Sequence, residues 1–416
     1  MGDGDERGLE AAVGRATPEA DANPLVLRLP RLRLALEASD DDLRSELAST
    51  FSGLVSKSRA DEHWVITDDE GWCVEAPGRA IDGRRAVSTA SLAGRLQTEL
   101  NNLVTATSCA AGDVLLHAGT LRLEARTVLL VGTSGAGKTT LTATLLDAGA
   151  DYLSDEFTVL EPAGRTVRRY AKPLTVKQGA RETVGGLELF AGDAGLADDE
   201  PGLRYVAVPE SSLAAQGAWP SLLVLLDADP QIEEGWVHPA EVLIALAEHS
   251  PCRAQTTDQL PRLAEFAREV PAYQLARREP ARMAATVREL LSGLASARES
   301  GGSGGVASAG QAPVVVDEAD VAEMRDSGGS AECLGRAPGV LTEDFADAAV
   351  LYDPRVDRLH LLNARGRALW IACDGQQTLD DLVAAGNLQG LEAADVQETL
   401  RVFREEGLLA GGADDD

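Results

Sequence analysis

One segment of the sequence has the residue types and spacing that are typical of phosphate binding. It runs Gly132-Thr-Ser-Gly-Ala-Gly-Lys138-Thr139 and matches the pattern G-x-x-x-x-G-K-T. Glycines let backbone N–H groups surround phosphate oxygens, the lysine reaches the β- and γ-phosphates, and the next hydroxyl binds Mg²⁺. ATP and Mg²⁺ are therefore the predicted cofactors. The predicted nucleotide-binding residues are Gly132, Thr133, Ser134, Gly135, Ala136, Gly137, Lys138, Thr139 and Thr140.

The sequence on either side of this loop supports the interpretation. The apolar run TVLLVG precedes it and predicts a buried strand, and TTLTATLLDAG follows it with helical spacing. A strand before and a helix after distinguish a phosphate loop from a chance glycine-rich turn. Strands and helices alternate through 111–296, which predicts an α/β core.

Phosphoryl transfer also needs a group that orients or deprotonates the acceptor, and a further anchor for the metal. Two acidic sites are candidates. Asp155 and Glu156 follow the short apolar run ADYLS. If this run forms a strand next to the phosphate-loop strand, the two carboxylates lie at its end, beside the phosphates. Asp227 ends the apolar run SLLVLLD, where a metal-binding aspartate is common, but the turn sequence DADP explains it as well.

From Leu116-His117 to Ser154-Asp155-Glu156 the chain resembles the HPr kinase/phosphorylase superfamily and its bacterial relatives that phosphorylate serine in peptides. That family carries a histidine on the strand before the phosphate-loop strand and an Asp-Asp pair after the helix. His117 and Asp155 have the family spacing, and Glu156 replaces the second aspartate. The resemblance implies that Asp155 is the general base and that His117 assists proton movement or holds the acceptor.

The predicted catalytic residues are therefore Asp155, His117 and Lys138, and the predicted metal ligands are Thr139 and Glu156. The run AKPLTVKQG resembles a loop of the peptide-kinase relatives, which implies that Lys172 and Lys177 face the nucleotide or the substrate. Solvated loop lysines are the alternative. HPr itself is not the expected substrate, because the HPr-binding and hexamer features of true HPr kinases are not recognisable.

The tail has its own pattern. GVLTED, AAVLYDP and RLHLLN predict three short strands, and three helical runs follow them. The tail resembles the PqqD-like peptide-chaperone family of ribosomal peptide biosynthesis, which implies binding of a leader peptide as an added strand. The matching residues are Leu362, Asn363, Trp370, Asp374, Gly375, Thr378, Leu382, Gly407, Leu408 and Leu409.

Composition limits the classes of function. The 416 residues carry a net charge of −29 and four lysines, which argues against nucleic acid or an anionic membrane as a partner. No apolar run is long enough to span a bilayer, and the acidic start is not typical of a secretory signal, so a cytoplasmic location is expected. The five cysteines stand singly, which predicts buried thiols in a reducing compartment and no disulfides.

The expected fold is α/β: a P-loop core similar to HPr kinase, a small mixed N-terminal domain and a winged-helix-like C-terminal domain of PqqD type. The predicted parts are a disordered start (1–24), an N-terminal domain (25–110), a kinase domain (111–296), a Gly/Ser-rich linker (297–335) and a peptide-binding domain (336–411).

These features predict an ATP- and Mg²⁺-dependent kinase that phosphorylates a hydroxyl of a ribosomally made precursor peptide, with serine as the expected acceptor. Two alternatives stay open: a nucleotide-binding regulator or scaffold without transfer, and a sugar or small-molecule kinase of surface-polysaccharide assembly. The acceptor residue, the donor preference and the oligomeric state are left open by the sequence.

Overall fold

The alternating apolar residues near the start of the chain form a small mixed sheet with two helices. Its elements in the computed structural model are β1 (Leu25–Arg28), β2 (Arg33–Ala38), α1 (Asp41–Thr50), β3 (Glu62–Asp68), β4 (Trp72–Glu75) and α2 (Thr89–Ala110). The strand order is β1-β2-β3-β4, with β2 and β3 parallel. Leucines of β1 and β2 share one apolar cluster with α2, so this sheet packs on the helix that leads into the core.

The structure describes residues 24–38, 40–68, 70–79, 81, 85–187, 203–253, 258–299, 333–388 and 392–410. Residues 1–23 of the segment predicted to be disordered lie outside the described residues, and so do residues 300–332 of the predicted linker.

The apolar run before the phosphate loop is a buried strand of the central sheet, as predicted. The elements of the core are β5 (Val114–Leu116), β6 (Ala118–Leu123), β7 (Arg126–Gly132), α3 (Lys138–Asp147), β8 (Asp151–Ser154), β9 (Thr158–Glu161), β10 (Thr166–Arg168), β11 (Leu174–Lys177), α4 (Arg181–Gly185), β12 (Leu203–Val206), β13 (Gly217–Ala218), β14 (Pro220–Asp227), β15 (Gly235–Trp236), α5 (Pro239–Glu248), α6 (Gln259–Glu269), β16 (Ala272–Ala276) and α7 (Pro280–Glu299).

The central sheet has the order β15-β16-β14-β7-β6-β8. Strands β7, β14 and β16 are parallel, and β6 is antiparallel to both of its neighbours. Val128 and Leu130 of β7 share an apolar cluster with α3 and α7, whereas Leu129 and Val131 share another with α5 and α6. Burial on both faces explains why this strand is apolar at successive positions and not at every second one. A smaller sheet, β13-β10-β9-β5, and the pair β11–β12 complete the core.

The predicted strands and helices of the tail are confirmed. They are β18 (Leu341–Asp344), β19 (Ala348–Asp353), β20 (Arg358–Asn363), α8 (Ala364–Ala372), α9 (Leu379–Leu388) and α10 (Ala393–Glu405). Two short strands also form an antiparallel pair, β17 (Cys333–Gly335) and β21 (Asp374–Thr378). Helix α7 continues to Glu299 and β17 begins at Cys333, so the described residues at both ends of the predicted linker (297–335) belong to regular elements.

Strand β19 joins the tail to the core. All six of its residues are buried. Ala349 and Leu351 pack inside the tail, while Val350 and Tyr352 belong to the apolar cluster that contains α5 and α6 of the core. The sheet β18-β19-β20 is therefore covered by its own helices on one face and by core helices on the other.

One prediction about the cysteines is wrong. Cys109, in the last turn of α2, and Cys252, just after α5, form a disulfide across 143 residues of sequence. Cys73, Cys333 and Cys373 are free. Neither paired cysteine has a second cysteine nearby in sequence, so their pairing follows from tertiary packing alone.

The fold is α/β. None of the helices within the described ranges has the length and apolar character needed to cross a membrane.

Candidate functional site

The predicted phosphate loop connects the end of β7 to the start of α3. Gly135 and Gly137 have positive φ angles of 91° and 99°, which a glycine adopts without a steric penalty. A Cβ atom on Gly132 would lie 2.5 Å from the backbone oxygen of Leu226 on β14. Glycine is therefore required at Gly132 by the close approach of β14, and at the other two positions by backbone conformation.

The loop ends in two residues with polar contacts inside the site. The Lys138 ammonium donates a hydrogen bond to the Gly132 backbone oxygen, and the Thr139 hydroxyl donates to Asp155 Oδ2 at 3.0 Å. Burial lowers the pKa of Lys138, although the Asp155 and Glu156 carboxylates oppose that effect. Lys138 thus folds back onto its own loop, where a phosphate group could replace the carbonyl as its partner.

Asp155 follows β8 directly and is the most deeply buried carboxylate of the site. Its side chain is 6% exposed, and Oδ1 is buried without a hydrogen-bond partner. Burial raises the pKa of Asp155 to about 6, and Lys172 and the Thr139 hydrogen bond keep it from rising further. A buried carboxylate oxygen without a donor is costly unless a ligand supplies one. This oxygen is therefore suited to accept a hydrogen bond from a substrate hydroxyl, or the proton of that hydroxyl.

Glu156 has different partners. Its Oε2 lies 2.8 Å from the Lys172 ammonium, which also donates to Gln97 Oε1 of α2 at 2.9 Å. Burial alone would raise the pKa of Glu156, but Lys172 outweighs it and the net effect is a lowered pKa. The Thr139 hydroxyl contacts Asp155, whereas Glu156 contacts Lys172. The assignment of Glu156 as a metal ligand therefore stays a prediction. The role of Gln97 had no signal in the sequence.

His117 lies between β5 and β6 and completes the group. Its Nε2 is 3.5 Å from Glu156 Oε1, and its backbone N–H donates to the His249 oxygen at 2.7 Å. Burial, and then the Lys138 ammonium, lower the pKa of His117, which favours the neutral imidazole. His117, Lys138 and Asp155, which are distant in sequence, are thus brought together by the adjacent strands β6, β7 and β8.

The two lysines of the AKPLTVKQG segment have different environments. Lys172 is fully buried, so it is not a solvated loop lysine. Lys177 ends β11, is exposed, and donates to the Ser134 hydroxyl of the phosphate loop at 2.6 Å. Three of the four lysines of the chain therefore lie at one site.

Asp227 lies at the end of β14, beside the phosphate loop, because Leu226 pairs with Gly132 in the parallel register. Its Oδ1 accepts a hydrogen bond from the Asp229 N–H at 2.9 Å. This contact is the turn contact that DADP predicts. Across the described ranges, no group of three or more histidine, cysteine or acidic side chains could hold a metal ion. Mg²⁺ at nucleotide sites commonly takes only one or two protein oxygens.

The tail contacts the core through ion pairs around its sheet. Arg253 pairs with Asp357 at 2.7 Å, and Arg268 pairs with Glu343 at 2.9 Å. Arg268 also donates to the Asp344 backbone oxygen at the end of β18. At the opposite edge, Leu361 of β20 is 46% exposed. Each edge strand contacts a core helix, β18 with α6 and β20 with α5, and β20 has an exposed apolar side chain.

No protein-family model and no curated protein matches the chain. The solved structures that are similar to parts of it include the following two. The complex of TbiB1 with the TbiA(beta) leader peptide is 21% identical over 19% of this chain and 99% of its own, with a TM-score of 0.18. The Hpr(Ser) kinase/phosphatase from Coxiella burnetii is 13% identical over 44% of this chain and 98% of its own, with a TM-score of 0.26. Scores this low do not establish a shared fold.

Proposed function

We propose that the protein is an ATP- and Mg²⁺-dependent kinase that phosphorylates a serine hydroxyl of a ribosomally synthesised precursor peptide. The observation that carries this proposal is the position of Asp155. One of its oxygens accepts from Thr139 at the start of α3, and the other is buried without a donor. A carboxylate so placed can accept a proton beside a phosphate loop, which is the task of the base in phosphoryl transfer.

The residues of the site divide the chemistry among them. The acceptor oxygen forms a bond to the γ-phosphorus of ATP, the bond to the bridging β–γ oxygen breaks, and the hydroxyl proton passes to Asp155. Lys138 supplies positive charge to the phosphates, where charge develops during transfer. Mg²⁺ would neutralise phosphate charge, and Thr139 and Glu156 are the oxygen donors that would hold it.

His117 and Lys172 act on the second carboxylate. Lys172 is buried and holds Glu156 at 2.8 Å, and Glu156 lies 3.5 Å from the His117 ring. A neutral imidazole can donate one hydrogen bond and accept another. His117 is therefore suited to hold the acceptor hydroxyl while Asp155 takes its proton.

The tail is proposed to bring the acceptor to this site. Strand addition to a sheet edge binds an extended peptide through main-chain hydrogen bonds, with side-chain pockets giving selectivity. We assign the leader peptide to the edge of β20, because the Asp344 backbone oxygen of β18 already accepts from Arg268, while the exposed Leu361 on β20 offers an apolar contact. Binding in the same chain as the kinase site raises the effective concentration of the acceptor.

The test is mass spectrometry of precursor peptides encoded near the gene, incubated with the protein, ATP and Mg²⁺. A mass increase of one phosphate on a serine, dependent on both ATP and the enzyme, is the expected result. Binding of ATP without phosphorylation of any peptide would favour a regulator or scaffold. Phosphorylation of a sugar or another small molecule under the same conditions would favour a small-molecule kinase of surface-polysaccharide assembly.

A further inference from the structure

The three lysines of the site differ in how their charge is balanced. Lys172 forms an ion pair with Glu156, and Lys138 donates to the Gly132 backbone oxygen. Lys177 instead donates to a neutral hydroxyl, that of Ser134. Within the part of the chain that the structure describes, no carboxylate forms an ion pair with Lys177. Among the three lysines, only Lys172 forms an ion pair with a carboxylate within the described residues, so the charge of Lys177, like that of Lys138, is left for an anionic ligand.

The backbone fixes Lys177 close to the loop. Leu174 and Val176 of β11 are buried in the apolar cluster that also contains α3, and β11 pairs with β12. Side chains alternate along a strand, so Lys177 points away from the face that anchors β11. The backbone of Lys177 is therefore held beside the loop by packed neighbours, and its exposed side chain reaches the Ser134 hydroxyl.

The partners of the two loop-facing lysines indicate which phosphates Lys177 would meet. Lys138 contacts Gly132, and Lys177 contacts Ser134, two residues further along the same loop. The lysine of a phosphate loop reaches the β- and γ-phosphates, so a second ammonium at the same end of the loop faces the same groups.

We propose that Lys177 is a second phosphate-binding cation of this site, whose ammonium contacts the terminal phosphate of ATP and stabilises charge there during transfer. The inference rests on the function proposed above. In the transfer, the hydroxyl proton still passes to Asp155 and the bridging oxygen leaves with ADP, while Lys177 forms no covalent bond. It supplies in the same chain the positive charge that some phosphotransferases take from an arginine.

The experiment compares full-length Lys177→Met, Lys177→Arg and Lys138→Ala with the wild type. Lys57→Met is the matched control, because Lys57 is an exposed lysine outside the site. Affinities for ATP, ADP and AMP are measured by displacement of a fluorescent nucleotide. The turnover number kcat is measured with the precursor peptide that the wild-type enzyme phosphorylates. Unchanged circular dichroism verifies that each variant is folded.

For Lys177→Met we expect ATP affinity to fall roughly 10- to 100-fold, the loss of a charged hydrogen bond, with a smaller fall for ADP and none for AMP. We expect kcat to fall roughly 10²- to 10³-fold. Lys177→Arg should recover most of both, because a guanidinium also binds phosphate. Lys57→Met should match the wild type.

Three results would overturn the inference, and they differ in what else they affect. Normal ATP affinity and turnover in Lys177→Met, with Lys138→Ala defective, would reject the role of Lys177 and leave the proposed kinase function standing. An equal loss for ATP, ADP and AMP would reject contact with the terminal phosphate. Normal behaviour of Lys138→Ala as well would reject the nucleotide site and with it the proposed function.

Discussion

The Thr139 hydroxyl and Asp155 Oδ2 are joined by a 3.0 Å hydrogen bond between the start of α3 and the end of β8. The two residues meet because β8 and β7 both lie next to β6 in the central sheet. The bond uses one carboxylate oxygen and leaves Oδ1 buried without a partner. Asp155 is thus oriented by the residue that follows the loop lysine, which links the position of the base to the position of the phosphates.

Replacement of Asp155 by asparagine should remove phosphoryl transfer while ATP affinity stays close to that of the wild type. The base acts on the acceptor hydroxyl and contributes mainly in the transition state, so the loss in kcat should be roughly 10²- to 10⁴-fold. Single-turnover phosphorylation and nucleotide titration measure the two quantities separately. Asp227→Asn is the matched control and should have a small effect, because Asp227 is engaged in a turn.

Two outcomes would contradict this assignment. A larger loss of transfer in Asp227→Asn than in Asp155→Asn would mean that the other carboxylate is the base. Collapse of ATP binding in Asp155→Asn would indicate that Asp155 holds the metal and does not act as a base.

The rate of transfer should fall as the pH is lowered through about 6. Burial raises the pKa of Asp155 to about 6, and only the ionised carboxylate can accept a proton. The rate of transfer is therefore expected to be maximal well above that pH and to decrease tenfold per pH unit well below it. The measurement is kcat/KM against pH at saturating ATP and Mg²⁺. A rate that is flat down to pH 5 would show that Asp155 does not act as the base or that its pKa is not raised.

Those parts of the site that depend on local pattern could be predicted from the sequence. Lys138 and Asp155 each follow a buried strand, and apolar runs reveal such strands directly. The contact between Gln97 and Lys172 could not be predicted, because it depends on how α2 packs against a segment far along the chain. The same holds for Cys109 and Cys252, whose pairing is set by the packing of α2 against the end of α5 and not by sequence spacing.

The disulfide gives a direct test of that packing. The denatured protein should show three reactive thiols without reductant and five after reduction, since Cys109 and Cys252 are paired. The double variant Cys109→Ser/Cys252→Ser should lose about 2–5 kcal/mol of unfolding free energy, because the bond closes a long loop. Urea unfolding without reductant measures the loss.

Cys333→Ser is the control for the disulfide, since Cys333 is free and exposed. It should change the unfolding free energy by less than about 0.5 kcal/mol. Reductant should abolish the difference between the double variant and the wild type. Five reactive thiols before reduction would show that the pair does not form.

The edge of β20 can be tested in the full chain, where its sheet stays packed on α5 and α6. We expect Leu361→Arg to raise KM for the full-length precursor about tenfold or more and to leave kcat nearly unchanged. The lost contact is remote from the transferred phosphate and so affects substrate and transition state equally. Val356→Arg is the matched control, because Val356 is an exposed apolar residue of the β19–β20 turn and is 62% exposed.

A short peptide that carries the acceptor serine but lacks the leader separates binding from chemistry. It should be phosphorylated equally poorly by the wild type and by Leu361→Arg, because neither can hold it at the strand edge. Fluorescence polarisation with a labelled leader peptide should show the same loss of affinity that appears in KM, and Val356→Arg should bind as the wild type does. If Leu361→Arg binds the leader normally, the leader does not lie along β20. An equal loss in Val356→Arg would place the contact at the turn, where a surface charge and not an added strand decides binding.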